Sequence, residues 1–264
     1  MSIIYLVRLP DEDTDPDSLL FPLLSSDRLD KMKRYRRACD RLLCYTAGLV
    51  AVRAAVQLTG GNIFDTVLVS DNLKPPFAQS CGELVRLGIS HSGHYAAVIA
   101  DRFPCGIDVE ELTRSSGVME SAEAFLHPHE REELASETDL SGRLMSFYKL
   151  WTVKESYLKY LGTGLSRPLD SFCVSCENGS YIIRDDNTVK VLCRTLTDAC
   201  FSAVYCGKEP DIYEYTYSGL LNELREMINN EKPVSVSGQR DTSEKDADHS
   251  QRSCSYDSKE THQA

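Results

Sequence analysis

Five ionisable side chains in two short stretches carry the chemistry of this sequence. The first stretch, Gly106-Ile107-Asp108-Val109-Glu110, supplies two carboxylates. The second, Trp151-Thr152-Val153-Lys154-Glu155-Ser156-Tyr157-Leu158-Lys159, supplies a third carboxylate and two ammonium groups. Three carboxylates can hold a hard divalent cation such as Mg²⁺, and lysines can face phosphate oxygens. The combination points to chemistry on a phosphate ester.

Local structure decides whether these groups can meet. In an extended segment alternate residues share a face, so Asp108 and Glu110 point one way and Ile107 and Val109 the other. Alone, that pair reads more readily as a solvated strand end. The second stretch has helical spacing: Trp151, Glu155 and Lys159 form one stripe, with Lys154 and Leu158 on the neighbouring face. A Glu with a Lys four residues later is often only a surface pair worth a few tenths of a kcal/mol. Here the only tryptophan of the chain shares the stripe, which argues for partial burial. A carboxylate in such a place can complete a metal site or act as a general base.

Two further features bear on phosphate binding. In Ile89-Ser90-His91-Ser92-Gly93-His94 the adjacent serine and histidine point to opposite strand faces, and no G-x-S-x-G elbow accompanies them. A hydrolytic nucleophile is therefore poorly supported, and donors to phosphate from Ser90 and His91 fit better; a structural histidine is the plainer alternative. Between Arg28 and Arg53, eight cations (Arg28, Lys31, Lys33, Arg34, Arg36, Arg37, Arg41, Arg53) meet only Asp30 and Asp40. A charge run is usually a solvated helix face, but this one lies in a chain of net charge -11, which argues for an anionic ligand or partner. Lys74-Pro75-Pro76-Phe77 adds a cation in what reads as a rigid turn.

The positioning elements follow from hydrophobic pattern and stop signals. A strand is expected at Ile3–Leu9, a single helix through most of Arg28–Leu58 stopped by Thr59-Gly60-Gly61-Asn62, and strands at Thr66–Val69, Leu84–Ser90, Tyr95–Ala100 and Cys105–Glu110. Short helices are expected at Val118–Leu126 and Pro128–Ser136, and a long one at Ser141–Leu161 ended by Gly162-Thr163-Gly164. Strands at Ser171–Cys176, Tyr181–Arg184, Val189–Leu196, Cys200–Tyr205 and Ile212–Tyr217 precede a last helix at Ser218–Asn230. From Lys232 the chain turns polar, too poor in large apolar groups to offset the cost of ordering, so a disordered tail is expected over 232–264.

The bulk numbers are those of a globular protein: 264 residues, 42% hydrophobic and 26% charged. The negative charge argues against general nucleic-acid binding. No stretch reads as a membrane span and no secretory signal opens the chain, so a cytoplasmic protein with its ten cysteines reduced is expected. The single CxxC, Cys173 and Cys176, falls in a strand pattern and reads as packing rather than a zinc site.

Taken in order, these motifs resemble the 4'-phosphopantetheinyl transferases of the surfactin-synthetase-activating (Sfp-type) family. The matching pieces are the basic first helix, Lys74-Pro75, Ser90-His91-Ser92-Gly93, the GxDxE stretch, and Trp151-x-x-Lys154-Glu155-Ser156 with Lys159. Gly162-Thr163-Gly164-Leu165 and Pro168-Leu169-Asp170-Ser171-Phe172 also fit, so the resemblance spans roughly 1–220.

The resemblance implies an α+β fold: a pseudo-twofold pair of similar α/β halves, 1–105 and 106–231, in one monomeric chain with coenzyme A and Mg²⁺ between them. It implies transfer of 4'-phosphopantetheine from coenzyme A to a serine of an apo acyl or peptidyl carrier protein, releasing adenosine 3',5'-bisphosphate. The carrier would belong to a fatty-acid, polyketide or peptide synthase, the last two routes being secondary-metabolite biosynthesis. By match, Asp108, Glu110 and Glu155 hold the metal, Glu155 is the base and Lys159 serves the leaving phosphate. Lys154 and His91 contact coenzyme A phosphates, with Ser90, Lys74 and Pro75 near the nucleotide. The family's usual arginine or histidine at position 43 or 44 is missing, so the 3'-phosphate falls to Lys31, Arg34, Arg37 or Arg41. Two other functions compete: a Mg²⁺-dependent phosphoesterase using water, and a non-catalytic module binding through the basic helix.

Overall fold

The computed structural model describes residues 2–71, 74–112 and 125–231. Strand β1 (Ile3–Arg8) is followed by helices α1 (Ser26–Arg34) and α2 (Ala38–Thr59). An antiparallel meander comes next: β2 (Val67–Asp71), β3 (Lys74–Ser80), β4 (Glu83–Ser92) and β5 (Tyr95–Asp101). Strand β6 (Gly106–Glu111) opens the second half, followed by α3 (Pro128–Ser136) and α4 (Leu140–Leu161). Strands β7 (Val174–Glu177), β8 (Ser180–Ile183), β9 (Lys190–Thr195), β10 (Ala199–Tyr205) and β11 (Asp211–Thr216) then lead to the last helix, α5 (Tyr217–Asn230).

The layers run helix, sheet, sheet, helix. The first sheet has the order β11-β1-β5-β4-β3-β2, and the second β6-β10-β9; β7 and β8 form a separate hairpin. Helix α2 buries Leu49, Val50 and Val52 in a core shared with Val85, Leu87 and Val98 of the first sheet. By composition and length α2 could cross a bilayer, which the sequence reading did not anticipate; here the core surrounds it. Between the sheets, Ile4, Leu6 and Ile99 pack against Ile107, Val109 and Phe201. On the outer face of the second sheet, Phe147, Val153 and Tyr157 of α4 meet Cys200 and Val204. Each of the two larger sheets is thus packed by a 22-residue helix. Each helix ends at a left-handed glycine, Gly60 at φ 69° and Gly162 at φ 68°, where a side chain would be strained.

Three expectations need correction. The basic helix is two helices: the backbone is extended at Tyr35 and Arg37, and Arg41 donates to the Tyr35 and Arg36 carbonyls freed there. Lys74-Pro75-Pro76-Phe77 begins strand β3 rather than forming a turn. Its prolines are tolerated because they precede the paired β3–β4 register, which starts at Phe77↔Arg86. The division at 105/106 is not clean, because β11 pairs in parallel with β1 (Ile3↔Asp211) and α5 packs Leu220 and Leu224 into the first half's core. The chain to Lys232 accordingly forms one unit. The expected tail, and nearly all of the expected helix at Val118–Leu126, lie outside the described residues.

Candidate active site

Gly106 determines where the acidic strand lies. A Cβ there would collide with the Ser156 carbonyl and the Tyr160 amide, so only glycine lets β6 rest directly on the backbone of α4. Two residues on, Asp108 is thereby set beside the last turns of α4. Lys159 Nζ donates to Asp108 Oδ1 at 2.6 Å and to Ser90 Oγ at 3.0 Å. Ser90 Oγ also donates to Asp108 Oδ1, at 2.7 Å. One rung further, Ser92 Oγ donates to Glu110 Oε2 at 2.6 Å. The two-residue period of both strands thus matches two serines on β4 to two carboxylates on β6.

The electrostatics are those of a carboxylate cluster short of cations. Burial, and then the neighbouring Asp108, push the Glu110 carboxyl above its ordinary range. The same two causes raise Glu155. Asp108 Oδ2 is buried without a hydrogen-bond partner. An all-oxygen donor set with an orphaned oxygen and reluctant carboxylates suits Mg²⁺. Among the described residues, however, no three such groups stand at metal-ligating distances, and Lys159 holds Asp108 Oδ1.

Beside this knot opens a cavity of about 1070 Å³. Helix α1 supplies Arg28, Lys31, Lys33 and Arg34 to its wall, β4 supplies Ile89, Ser90 and His91, and α4 supplies Lys159. Five cations meet only Asp27 and Asp30 there, so the cavity favours an anion. His91 opens onto it; desolvation by the surrounding protein, then Lys31, Lys159 and Arg28, push its imidazole below the ordinary value.

Lys31, Arg34, Ser90, His91 and Lys159 therefore share one wall. Arg41 is absent from it and braces the α1–α2 joint instead. Pro76, not Pro75, lines the cavity; Pro75 sits against Gly162, where an added Cβ would approach its ring. The Lys74 side chain lies outside the described structure. Lys154 does not reach the cavity. It is wholly buried and bonded to Glu130 Oε1 at 2.7 Å and to the Leu169 and Phe172 carbonyls at 2.9 and 2.8 Å. Phosphate contact from Lys154 is thus excluded by its surroundings. Glu130 is equally occupied, accepting from the Val174 and His127 amides.

Arg28, counted in the basic run but not among the candidates for the 3'-phosphate, also lines the cavity. Its guanidinium donates to the Cys44 carbonyl at 2.8 Å, and its Nε is buried without a partner. It lies across Gly48, where an added Cβ would strike its side chain. The signal available was its three-residue spacing from Lys31 on a short helix, which a single long helix obscured.

Comparison with known proteins places this arrangement. The model of the 4'-phosphopantetheinyl transferase superfamily matches residues 104–209, which include the acidic strand and α4. Among solved structures, the Thermotoga maritima holo-[acyl-carrier-protein] synthase covers 40% of this chain and 64% of its own, with 23% identity and a TM-score of 0.34. A 4'-phosphopantetheinyl transferase from Bacillus subtilis is 34% identical over 191 residues, 70% of this chain and 78% of the relative. Another from the same organism, 4'-phosphopantetheinyl transferase ffp, is 34% identical over 80% of this chain and 93% of its own. The chain belongs to the 4'-phosphopantetheinyl transferase family. It is, by that membership, a transferase.

Proposed function

We propose that the basic cavity binds coenzyme A and that the carboxylate knot beside it directs 4'-phosphopantetheine onto a serine of an apo carrier protein. The observation that carries this reading is the Lys159–Asp108–Ser90 knot at the cavity wall. It sets an ammonium and a carboxylate cluster where a bound phosphate chain would end.

Arg28, Lys31 and Arg34 draw in the phosphates, while His91 and Ser90 donate to their oxygens. The serine hydroxyl of the carrier attacks the β-phosphorus. Its new O–P bond replaces the bond to the oxygen bridging the two phosphates, and adenosine 3',5'-bisphosphate departs. Glu155 takes the serine proton; a carboxyl raised by burial is the better matched to that task near neutral pH. Lys159 neutralises charge as it builds on the departing phosphate. Asp108, Glu110 and Glu155 would hold Mg²⁺, which when bound supplies Lewis-acid charge to the phosphates.

The test is intact-mass spectrometry of an apo carrier incubated with the protein, coenzyme A and Mg²⁺. A gain of roughly 340 Da, the mass of one phosphopantetheine group, is expected, and none with Asp108→Ala. Free phosphopantetheine released without a carrier would replace the reading with a phosphoesterase.

A further inference from the structure

We infer that Arg36 and Arg37, in the extended joint between α1 and α2, dock an acidic face of the carrier domain. The inference rests on the reading that a carrier serine is modified at the neighbouring cavity, and it names the surface that brings the serine there.

The eight cations between Arg28 and Arg53 divide by what they touch. Arg28 donates to the Cys44 carbonyl, Arg41 to the Tyr35 and Arg36 carbonyls, and Arg53 is bonded to Glu223 at 2.7 Å. Lys33 pairs with Asp30 at 3.1 Å, and Lys31 and Arg34 belong to the cavity wall. Arg36 and Arg37 remain. Both are exposed, and neither lines the cavity. Neither side chain has a hydrogen-bond or ion-pair partner among the described residues. Arg37 is the N-cap of α2, yet its side chain makes no bond to the helix. The backbone that carries the pair is extended at Tyr35 and Arg37 and braced by Arg41, so the two charges stand on a held segment.

Position gives this pair its partner. The joint directly follows Arg34 of the cavity wall. Just beyond it, Cys39 shares a small cavity of about 110 Å³ with Gly93 and His94, which follow Ser90 and His91 in the chain. The joint thus flanks the phosphate site from the end of α1 to the end of β4, where a domain delivering a serine would lie against it.

Charge sets how that domain lands. Acid borders the arginines: Asp40 lies in the first turn of α2, and Glu12 and Asp13 line the small cavity with Cys39. An acidic face is drawn to the pair and repelled one step away, which fixes register more than it adds affinity. In a chain of net charge -11 the overall field disfavours an acidic partner, so a local basic pair decides where one is steered.

The experiment measures steady-state modification of an apo carrier domain that has an acidic face beside its serine. It compares wild type, Arg36→Glu, the double variant Arg36→Glu with Arg37→Glu, and the double variant Arg36→Lys with Arg37→Lys. Each is assayed at about 0.05 M salt and at about 1 M, where the Debye length falls to ~3 Å. At low salt the carrier kcat/KM should fall about tenfold or more in the double glutamate variant. The double lysine variant should stay near wild type, and the difference should shrink at high salt. The coenzyme A KM of Arg36→Glu should remain that of wild type.

Thermal melts confirm folding, and Arg36→Gln with Arg37→Gln replaces the double glutamate variant should that one melt early. A carrier kcat/KM unchanged by the double reversal at low salt overturns the docking surface alone. So does a loss that falls on the coenzyme A KM instead of the carrier. A wild type that modifies no carrier overturns the transfer reading and the surface with it.

Discussion

Lys159 Nζ stands 2.6 Å from Asp108 Oδ1, so one ammonium joins the last turns of α4 to the acidic strand β6. Lys159 also donates to Ser90 of β4, and so reaches an element of the first sheet as well. The pair leaves Asp108 Oδ2 free of partners. The ammonium thus balances one oxygen of Asp108 while the other is buried without a hydrogen-bond partner.

Lys159→Ala should therefore lower kcat by about 10²- to 10³-fold, the usual cost of removing one group that stabilises transition-state charge. Coenzyme A binding, which the proposed reading spreads over several α1 cations, should weaken much less. Single-turnover kinetics with a carrier, set beside a binding isotherm, separates the two effects.

The Lys154–Glu130 pair should act on stability. Both side chains are fully buried, and Lys154 Nζ also lies 4.1 Å from the Phe172 ring centroid. Removing one partner strands a buried charge, and Lys154→Met should cost about 3–5 kcal/mol in urea unfolding. The double change Lys154→Met with Glu130→Leu should recover much of that loss. A Lys154→Met protein as stable as wild type would remove the pair's structural role.

His91 gives a pH dependence. Its pKa lies below the ordinary imidazole value, chiefly through desolvation and next through Lys31. Between the depressed and ordinary values the folded state binds fewer protons than the unfolded one. Stability should therefore fall as pH drops through that window. On the proposed reading, bound phosphate would oppose the nearby cations and favour the imidazolium, so coenzyme A should bind with proton uptake within the window below the ordinary imidazole value. Calorimetry in buffers of different ionisation enthalpy measures the uptake, and His91→Gln should abolish it.

Gly106→Ala should affect both fold and chemistry. The added Cβ meets backbone of α4 rather than a side chain that could swing aside. Separating β6 from α4 should cost about 1–3 kcal/mol as overpacking. Because Asp108 rides on β6, turnover should fall about 10²-fold as the carboxylate moves by an ångström or so. Urea midpoints and kcat are the measurements, and loss of stability without loss of kcat would contradict the coupling.

Periodicity made most of this molecule legible. The two-residue period placed Asp108 and Glu110 on one face, and the helical period set Lys159 one turn beyond Glu155. What escaped was set by tertiary context. Helix spacing makes Lys154 a neighbour of Glu155 without saying which layer each faces, and Glu130, the residue that captures Lys154, lies on a separate helix. The break at Tyr35–Arg37 has no glycine or proline to announce it; carbonyls satisfied by Arg41 sustain it. Ser92 was visible in the sequence, but its partner across the strands was not. The return of the chain to β1 through β11 has no local signature, because parallel pairing is chosen by which edge lies open.

That return governs the order in which the protein can be assembled during synthesis. Strand β1 leaves the ribosome well before its parallel partner β11, which ends at Thr216. At about 5–20 residues per second, on the order of ten seconds or more separates the two. Through that interval the Ile3–Val7 edge has nothing from β11 to pair with, and α5 is not there to complete the core around Tyr5 and Leu49. The first half begun is therefore the last finished, and it closes only after the acidic strand and α4 have been made.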